Sequence, residues 1–381
     1  TVFDAEGRLL AWRRGEHRTH LVYDGARRLL QSVEHDGGSG RMVQRRYAYD
    51  ANGNRLLARH AFPRRDERPL GSGEGEAVGG GGRGVGGGAV RVHAAAVRPT
   101  FRVSNRVLSP EAGAGAAPEW DAAGRLLRDH RHRYRWNAMG LLAEVSDAGG
   151  VVARHRYNHR GERIATQAAG GWRYFLYDGQ RRLLAELDGD GRLVRQYVHL
   201  GDDPIVVIDR EGRREQLAFL HLDHLGAPVL ATDAGGQPLW SARHAPFGRL
   251  LPQRDQGFQL ALRLPGQYED PATGLHYNDH RWYDPDTGRY LSPDPLGLRG
   301  GPNPYVYADN DPLTRIDPSG LLLFAFDGTD NGDPPSRRDD WSNVYKLAQA
   351  YADGRVWYIV GVGRTDQASG IPGSSRDRLD A

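Results

Sequence analysis

The sequence predicts a mainly β protein, a long ribbon of antiparallel hairpins with a short α/β segment at its C-terminal end. A turn signature of the form Asp-x-x-Gly returns along the chain, as at Asp4 to Gly7 and Asp121 to Gly124. Aromatic and polar residues alternate beside these turns, as in the run Arg-Tyr-Arg-Trp, and this period of two is typical of a half-buried strand. After the last repeat, the apolar run from Leu322 predicts a buried strand of a different domain.

The composition excludes some classes of function. The 381 residues include no Cys, which excludes disulfides and thiolate chemistry. No run of about 20 apolar residues occurs, so the sequence predicts no membrane-spanning helix. The basic residues are nearly all Arg and lie dispersed beside almost as many acids, which favours arginines on the outer face of a sheet over a nucleic-acid-binding patch. The chain begins at Thr1 within a repeat and has no signal-peptide pattern, so we expect a piece of a longer protein.

Each Asp-x-x-Gly signature has a physical cause. Asp is favoured at the first position of a type I turn because its carboxylate accepts a backbone N–H, and Gly at the fourth position can take a positive φ. Two degenerate copies, Tyr23-Asp-Gly-Ala-Arg27 and Tyr177-Asp-Gly-Gln-Arg181, lack the second Gly. The fairly even spacing of the turns predicts hairpin after hairpin and not a helical domain.

Changes in composition divide the chain into five parts. Residues 69–117 interrupt the repeats with a glycine-rich, low-complexity stretch that we interpret as an insertion or loop between repeat blocks. The predicted parts are repeats at 1–68, the insertion at 69–117, repeats at 118–250, a core region at 251–321 and the α/β segment at 322–381.

The recurrent Tyr-Asp-x-x-Gly-x-Leu units carry a resemblance to a known family. From residue 1 to about residue 245 they resemble the YD-repeat, or Rhs, family. In that family the β-ribbon spirals into a hollow shell, or cage. The resemblance therefore implies that the hairpins of this chain build part of such a shell.

The core region contains two near-copies of one pentapeptide, Asp294-Pro-Leu-Gly-Leu and Asp317-Pro-Ser-Gly-Leu. With the preceding run Arg-Trp-Tyr-Asp-Pro-Asp-Thr-Gly-Arg-Tyr, this region resembles the Rhs-associated core domain. We name residues 251–321 the plug, because we interpret this region as closing the shell. In that family the second Asp-Pro-x-Gly-Leu is a self-cleavage site, so the resemblance implies a cut between Leu321 and Leu322.

The same resemblance suggests an aspartate pair as the catalyst, with an arginine as helper. The best matches are Asp294 and Asp317, with Arg281 as the helper, and Asp284 is the main competitor. Two close carboxylates share one proton, so one can activate water while the other protonates the leaving amine. In the alternative interpretation both aspartates only open Asp-Pro-x-Gly turns, whose hydrogen bonds would lower the pKa of each carboxyl.

Other polar residues predict no bound ion or cofactor. His221, Asp223 and His224 are close in sequence, but on a strand His221 and Asp223 share one face while His224 points away. Two ligands do not make a zinc site. We therefore predict no metal and no cofactor, and interpret this stretch as structural.

The segment 322–381 predicts strand, helix, strand, the beginning of a parallel α/β sheet. Its Phe-Asp-Gly-Thr-Asp-Asn and Ser-Asn-Val-x-Lys-Leu words resemble the opening of an α/β-hydrolase family of type VI secretion lipase effectors. In such a toxin Asp327, Gly328 and Thr329 border the oxyanion site, or they only form a turn after the first strand. No Gly-x-Ser-x-Gly elbow occurs before Ala381, so we expect an incomplete toxin without lipase activity in this chain.

The resemblances together imply the C-terminal portion of a bacterial polymorphic-toxin Rhs effector. Its cage encapsulates a C-terminal toxin and releases it by aspartate-dependent autoproteolysis. The implied partners are the chain's own cleaved fragment, held noncovalently, then an immunity protein, a chaperone, a secretion spike protein and the target-cell membrane lipid, with no nucleic acid. The protein would lie in the bacterial cytoplasm before type VI delivery into a target cell. The alternative is a structural or adhesive YD-repeat shell segment that is never cut.

Overall fold

The computed structural model describes residues 1–4, 8–37, 40–61, 100–101, 105–109, 117–210, 215–251, 257–326 and 355–359. Within them the protein is built of β-strands, with two short 3-10 helices at Gly297–Gly300 and Ala308–Asn310. The predicted mainly β fold is therefore confirmed. In these ranges, no helix is long and apolar enough to span a bilayer.

The first unit contains an antiparallel sheet of six strands, each paired with the next in the chain. Buried leucine and tyrosine side chains alternate with more exposed residues along it, which is the pattern of a sheet with one packed face. Its strands are β1 (Val2–Phe3), β2 (Leu9–Arg14), β3 (His17–Tyr23), β4 (Leu29–Asp36), β5 (Arg41–Tyr49) and β6 (Arg55–Ala61). Two short strands that pair with each other follow, β7 (Thr100–Phe101) and β8 (Val107–Ser109).

The second unit is built on an antiparallel sheet of thirteen strands, again joined in chain order. Every neighbouring pair is a hairpin, as the regular turn spacing predicts. The strands are β9 (Glu119–Trp120), β10 (Leu126–Arg128), β11 (Arg133–Trp136), β12 (Leu142–Asp147), β13 (Gly150–Tyr157), β14 (Arg163–Ala168), β15 (Gly171–Tyr177), β16 (Leu183–Leu187), β17 (Leu193–Leu200), β18 (Asp203–Asp209), β19 (Gln216–Leu222), β20 (Pro228–Thr232) and β21 (Pro238–Ser241).

The plug adds a small antiparallel sheet to this second unit. Its four strands are β22 (Tyr268–Glu269), β23 (His276–Asn278), β24 (Arg281–Asp284) and β25 (Arg289–Tyr290). Apolar side chains of the plug pack on one face of the large sheet in two clusters. In one, Leu275 and Trp282 meet Leu142 and Val145 of β12, so burial of apolar surface holds the plug against the repeats.

The repeat turns form as the sequence predicts, with one addition. In the turn at Asp121, Gly124 has φ +87 and its N–H donates to Asp121 O at 3.1 Å. The Arg125 N–H donates to Asp121 Oδ1 at 2.8 Å, and the Arg125 guanidinium folds back onto Oδ2 at 2.6 Å. The same arginine closure occurs at the turns of Asp4, Asp24 and Asp178. These arginines are bound to their turns, whereas strand arginines such as Arg133 and Arg135 are exposed, as the sequence predicts.

Arg163 of β14 departs further from that expectation. Its side chain is only 1% exposed, and its guanidinium lies over the rings of Phe175, Tyr268 and Tyr277, 4.2, 4.8 and 4.7 Å from their centroids. Two of these rings belong to the plug, so this buried cation helps to hold the plug on the sheet.

The last two strands confirm the predicted parallel pairing. They are β26 (Leu322–Phe326) and β27 (Arg355–Ile359), and they pair in parallel from Leu322 with Arg355 to Phe326 with Ile359. The helix predicted between them, the motif Asp327, Gly328 and Thr329, and most of the glycine-rich insertion lie outside the described residues.

Candidate functional site

The candidate site lies where β23 and β24 of the plug meet the second Asp-Pro-x-Gly-Leu segment. A two-residue turn, Asp279–His280, joins these strands and places Arg281 at the beginning of β24. The segment from Asp317 to Leu321 lies directly against this turn, because the Asn278 side-chain amide donates to Asp317 O at 2.8 Å. The local hairpin therefore brings a strand end and the predicted cleavage segment into contact.

Arg281 contacts both aspartates that the sequence singled out. Its Nη2 lies 3.0 Å from Asp294 Oδ2 and 3.0 Å from Asp317 Oδ2, and all three side chains are at most 2% exposed. Its other nitrogens hold backbone oxygens: Nε donates to Gly320 O, and Nη1 donates to Pro304 O at 3.1 Å. The structure thus brings Arg281, Asp294 and Asp317 together around one buried guanidinium.

The competing aspartate has a different partner. Asp284, at the end of β24, accepts a bond of 2.6 Å from Arg131 of a repeat turn, and its other oxygen accepts the Asp286 N–H at 3.0 Å. Burial raises the pKa of Asp284, although the charge of Arg131 acts against that. Asp284 therefore joins the plug to a repeat turn through Arg131, which also contacts Asp286.

Burial controls the protonation of Asp317. It raises the pKa of this carboxyl, and the nearby Asp294 adds to the rise, while Arg281 and the Tyr290 hydroxyl act in the opposite direction without outweighing it. One guanidinium cannot neutralise two carboxylates, so burial favours the protonated form of Asp317. Asp317 Oδ1 is buried and has no hydrogen-bonding partner among the described residues.

Two further residues at the site carried no role in the sequence analysis. The Tyr290 hydroxyl donates to Asp317 Oδ2 at 2.7 Å, and its ring centroid lies 3.6 Å from the Arg281 guanidinium carbon. Asn278 donates to the Tyr290 hydroxyl at 2.8 Å. Both belong to the core region, but no spacing or motif in the sequence connects them to an aspartate that follows 27 or more residues later.

The two aspartates also form the turns that their sequence predicts. Asp294 Oδ1 accepts the Leu296 N–H at 2.8 Å, and Asp294 O accepts the Gly297 N–H at 2.9 Å. In the second turn the Gly320 N–H donates to Asp317 O at 3.4 Å. The turn interpretation and the paired-carboxylate interpretation therefore describe the same residues, because the turns carry their carboxyls into one buried site.

Three consecutive carbonyl groups beside the predicted cut are held by hydrogen bonds. Ser319 O accepts the His280 N–H at 3.2 Å and faces His280 Nδ1 at 3.0 Å. Gly320 O accepts Arg281 Nε, and Leu321 O accepts the Ser319 hydroxyl at 3.2 Å. A Cβ on residue 320 would lie 2.4 Å from a backbone oxygen, at φ +66, so only glycine fits there. The segment is thus fixed up to and including the Leu321 carbonyl that the cut would attack.

The three residues considered as metal ligands have separate structural partners. His221 Nε2 lies 3.1 Å from the Thr232 hydroxyl, and His224 Nε2 lies 2.9 Å from Leu313 O. Asp223 accepts the N–H groups of its own turn. Within the described ranges, no group of three or more His, Cys, Asp or Glu residues could hold a metal ion.

Comparisons with known proteins agree with this architecture. The Teneurin YD-shell family matches residues 106–304, more than half of the chain. Toxin protein Tse5 of Pseudomonas aeruginosa is 33% identical over 370 residues, covering 84% of this chain and 25% of Tse5. Double-stranded DNA deaminase toxin A of Burkholderia cenocepacia is 35% identical over 242 residues, covering 53% of this chain and 17% of that toxin.

A solved structure extends the comparison of the fold. The Photorhabdus luminescens Tc holotoxin pore matches 88% of this chain and 17% of its own, with a TM-score of 0.64 and 19% identity. This chain spans a quarter or less of the length of each of these proteins. From the match over more than half of its residues, the chain belongs to the YD-shell family and is an Rhs-type YD-repeat shell protein.

Proposed function

We propose that this chain closes a shell around a C-terminal toxin and cuts itself between Leu321 and Leu322. The observation that carries the proposal is the single buried guanidinium of Arg281, which contacts the carboxyls of Asp294 and Asp317 and the backbone of the cleavage segment. A buried pair of carboxyls that shares one positive charge can hold one proton and accept another. Hydrolysis of a peptide bond requires such a pair, with one carboxyl as general acid and the other as general base.

The proposed reaction is an intramolecular hydrolysis. The carboxyl with the raised pKa, Asp317, carries the shared proton, and Asp294 accepts a proton from the attacking water. The water oxygen forms a bond to the Leu321 carbonyl carbon, the bond to the Leu322 nitrogen breaks, and the proton of Asp317 goes to that nitrogen. The Ser319 hydroxyl, which donates to Leu321 O at 3.2 Å, polarises the carbonyl.

Attachment of the substrate favours the reaction. The cleavage segment belongs to the same chain and is fixed by hydrogen bonds to β23, β24 and the turn between them, so no binding step is needed. Arg281 has two roles in this scheme: it orients the two carboxyls and holds the carbonyl group that precedes the scissile residue.

Intact mass and denaturing gels test the cut. The parent chain should give a fragment of about 60 residues that begins at Leu322, and Asp317→Asn or Asp294→Asn should abolish it, since Asn keeps the shape but cannot transfer the proton. Asp121→Asn, in a repeat turn, is the matched control and should be cut normally. An uncut parent, or Asp317→Asn and Asp294→Asn chains cut like the parent, would contradict the proposed mechanism.

The rival function is a structural or adhesive shell segment without cleavage. The turn bonds of Asp294 to Leu296 and Gly297 favour it, because they give this aspartate a role that needs no chemistry. The same gel separates the two functions: one band near the full mass supports the structural shell.

Encapsulation is the second part of the proposal, and it has its own test. The sequence of residues 322–381 predicts two apolar strands, and burial of their apolar side chains against the shell would stabilise the fragment there. The cut removes one peptide bond and leaves those contacts. Both fragments should therefore elute as one peak in native size-exclusion chromatography and separate in denaturant. A small fragment that elutes alone in native buffer would contradict encapsulation even if the cut occurs.

For the toxin we propose a lipid-directed enzyme delivered by type VI secretion, on the strength of the resemblance of residues 322–381 to lipase effectors. The parallel pair β26 and β27 supports the opening of an α/β sheet. The test is phospholipase activity of the full-length native protein on bacterial lipid vesicles, with deoxyribonuclease and deaminase assays in parallel. Activity on DNA and none on lipid would contradict the lipid-directed toxin.

A further inference from the structure

One of the degenerate repeat turns has an arginine where a glycine is favoured, and its position leads to the cleavage segment. The turn at Asp178 has Arg181 at its fourth position, at φ +66, while the corresponding residue of the regular turn at Asp188 is Gly191 at φ +78. A residue with a Cβ is strained in this left-handed region, so arginine destabilises the turn relative to glycine. The side chain of Arg181 makes contacts that glycine could not make.

The side chain of Arg181 reaches the turn between β23 and β24 of the plug. Its Nη1 lies 2.8 and 3.0 Å from the two Asp279 oxygens and 3.1 Å from His280 Nε2. Its Nη2 donates to Arg160 O, in the neighbouring repeat turn, at 3.0 Å. Arg181 thus joins two repeat turns to the plug hairpin that precedes Arg281.

The contact with Arg181 favours hydrogen on Nδ1 of His280. Because a guanidinium only donates, Nε2 accepts, and the ring proton lies on Nδ1. Nδ1 faces two acceptors, Ser319 O at 3.0 Å and Asp279 Oδ2 at 3.1 Å. The hydrogen on Nδ1, which Arg181 and these two acceptors all favour, can hold the Ser319 carbonyl, two residues before the scissile bond.

We infer that Arg181 is a positioning residue of the self-cleavage reaction, acting through His280 on the cleavage segment. The inference rests on the proposed cut after Leu321. Since Arg181 is in position only when the β15–β16 hairpin has formed against its neighbour, the contact makes rapid cleavage depend on completion of that part of the shell. The plug contains Asp294, Asp317 and Arg281, but Arg181, which contacts Asp279 and His280, comes from the repeats.

The test is the rate at which the 381-residue chain cuts itself during cell-free synthesis, followed on denaturing gels. Arg181→Gly should keep or raise the melting temperature, because glycine suits φ +66, and should slow the cut by about tenfold or more through misplacement of the segment. Arg27→Gly makes the same replacement at φ +65 in the first unit and should leave the rate unchanged. A purely structural role for Arg181 predicts no loss of rate in either variant.

A second pair of variants tests the route through His280. In His280→Asn the side-chain amide nitrogen can take the place of Nδ1 and donates without any tautomer to select. This variant should be cut at close to the parent rate, and adding Arg181→Gly to it should produce little further slowing. His280→Leu, which removes the donor at this partly exposed position, should be as slow as Arg181→Gly.

The outcomes separate this inference from the proposed function. An uncut parent, or an Asp317→Asn chain that is cut, overturns the cleavage function itself. A parent that is cut, with Arg181→Gly and His280→Leu cut equally fast, overturns only the positioning role. Slowing by Arg181→Gly that persists fully in the His280→Asn background overturns the route through the histidine.

Discussion

The repeats and the plug contain the same Asp-x-x-Gly turn, but its aspartate has different surroundings in the two regions. In the repeat turn at Asp121 the carboxylate has its own arginine, Arg125, four residues later, and the two side chains are 18% and 27% exposed. In the plug Asp294 and Asp317 are buried and share one arginine, Arg281. One carboxylate with one guanidinium is a neutral pair, whereas two with one retain a proton when water is excluded. Burial and the number of counterions, more than the turn motif, decide whether a turn aspartate can do acid–base chemistry.

The largest effect should come from removing the shared arginine. Arg281→Met leaves two buried carboxyls without a positive charge and should lower the free energy of unfolding by roughly 3–5 kcal/mol, besides abolishing the cut. Arg125→Met breaks a partly exposed pair and should cost at most about 1 kcal/mol. Urea denaturation at neutral pH measures both.

The stabilities of the Arg281→Met and Arg125→Met chains can be compared only if both chains are uncut. Leu322→Pro replaces the scissile amide by a tertiary one at the first residue of β26, where proline is tolerated, and intact mass confirms that such chains are uncut. Equal losses for Arg281→Met and Arg125→Met in this background would mean that the two kinds of turn do not differ as described.

The glycines of the two turn types provide the next contrast. Gly191→Ala in a repeat turn introduces only the strain of φ +78, because no atom lies within 4 Å of the added Cβ, and should cost about 1–2 kcal/mol. Gly320→Ala adds a collision with Asn278 O at 2.4 Å and should cost roughly 3 kcal/mol, since overpacking adds to the strain. Thermal denaturation gives the difference in stability.

Cleavage assays on the same two glycine variants report the position of the segment. Gly320→Ala moves the carbonyls that Arg281 and Ser319 hold, so its cut should be lost or strongly slowed. Gly191→Ala should be cut like the parent. A Gly320→Ala chain that is cut normally would show that the close approach of the Asn278 backbone is not required.

Local rules were enough to predict much of the fold. The turn at Asp121 follows from a carboxylate that caps its own turn and a glycine that takes φ +87, and both are properties of four consecutive residues. The parallel pairing of β26 and β27 also follows from two apolar runs separated by a predicted helix. The direction of the arginines that close four of the turns was missed, because spacing does not tell whether a long side chain extends into solvent or folds back onto the turn.

The site was predictable only as far as a motif named its residues. Asp294, Asp317 and Arg281 came from the resemblance of the plug to a known domain, and the structure brings them together. Tyr290 contacts an aspartate 27 residues away in the chain, and Arg181 contacts a histidine 99 residues away. Such contacts depend on how the plug sits on the sheet, which no local pattern records. The missing glycine at position 181 was the one visible signal, and its meaning became clear only from the contacts.

The smallest expected effect is a difference in how the stability contributions of Asp178 and Asp317 depend on pH. Burial raises the pKa of Asp178 in its repeat turn, but the hydrogen bonds from Arg182 and Gln180 outweigh it, so that pKa lies below its ordinary value of 3.8. Burial raises the pKa of Asp317 above the same ordinary value, and Arg281 does not outweigh it. The two carboxyls therefore contribute to stability with opposite dependence on pH.

The direction of the pH dependence of stability follows from the number of protons bound in the folded and unfolded states. The contribution of Asp178 is present above pH 3.8 and is lost as the pH falls through the lowered folded pKa. The contribution of Asp317 is complete below pH 3.8 and is lost as the pH rises through the raised folded pKa.

Asn is uncharged at every pH, so Asp178→Asn and Asp317→Asn, both in the Leu322→Pro background, isolate the two contributions. From about pH 3 to about pH 8 at constant ionic strength, the melting temperature of the Asp178→Asn chain should fall further below that of the background. That of the Asp317→Asn chain should rise relative to it, because the variant keeps the uncharged state that burial favours. If both differences move in the same direction, the buried pair in the plug does not hold the extra proton, and Asp317 is a turn aspartate like those of the repeats.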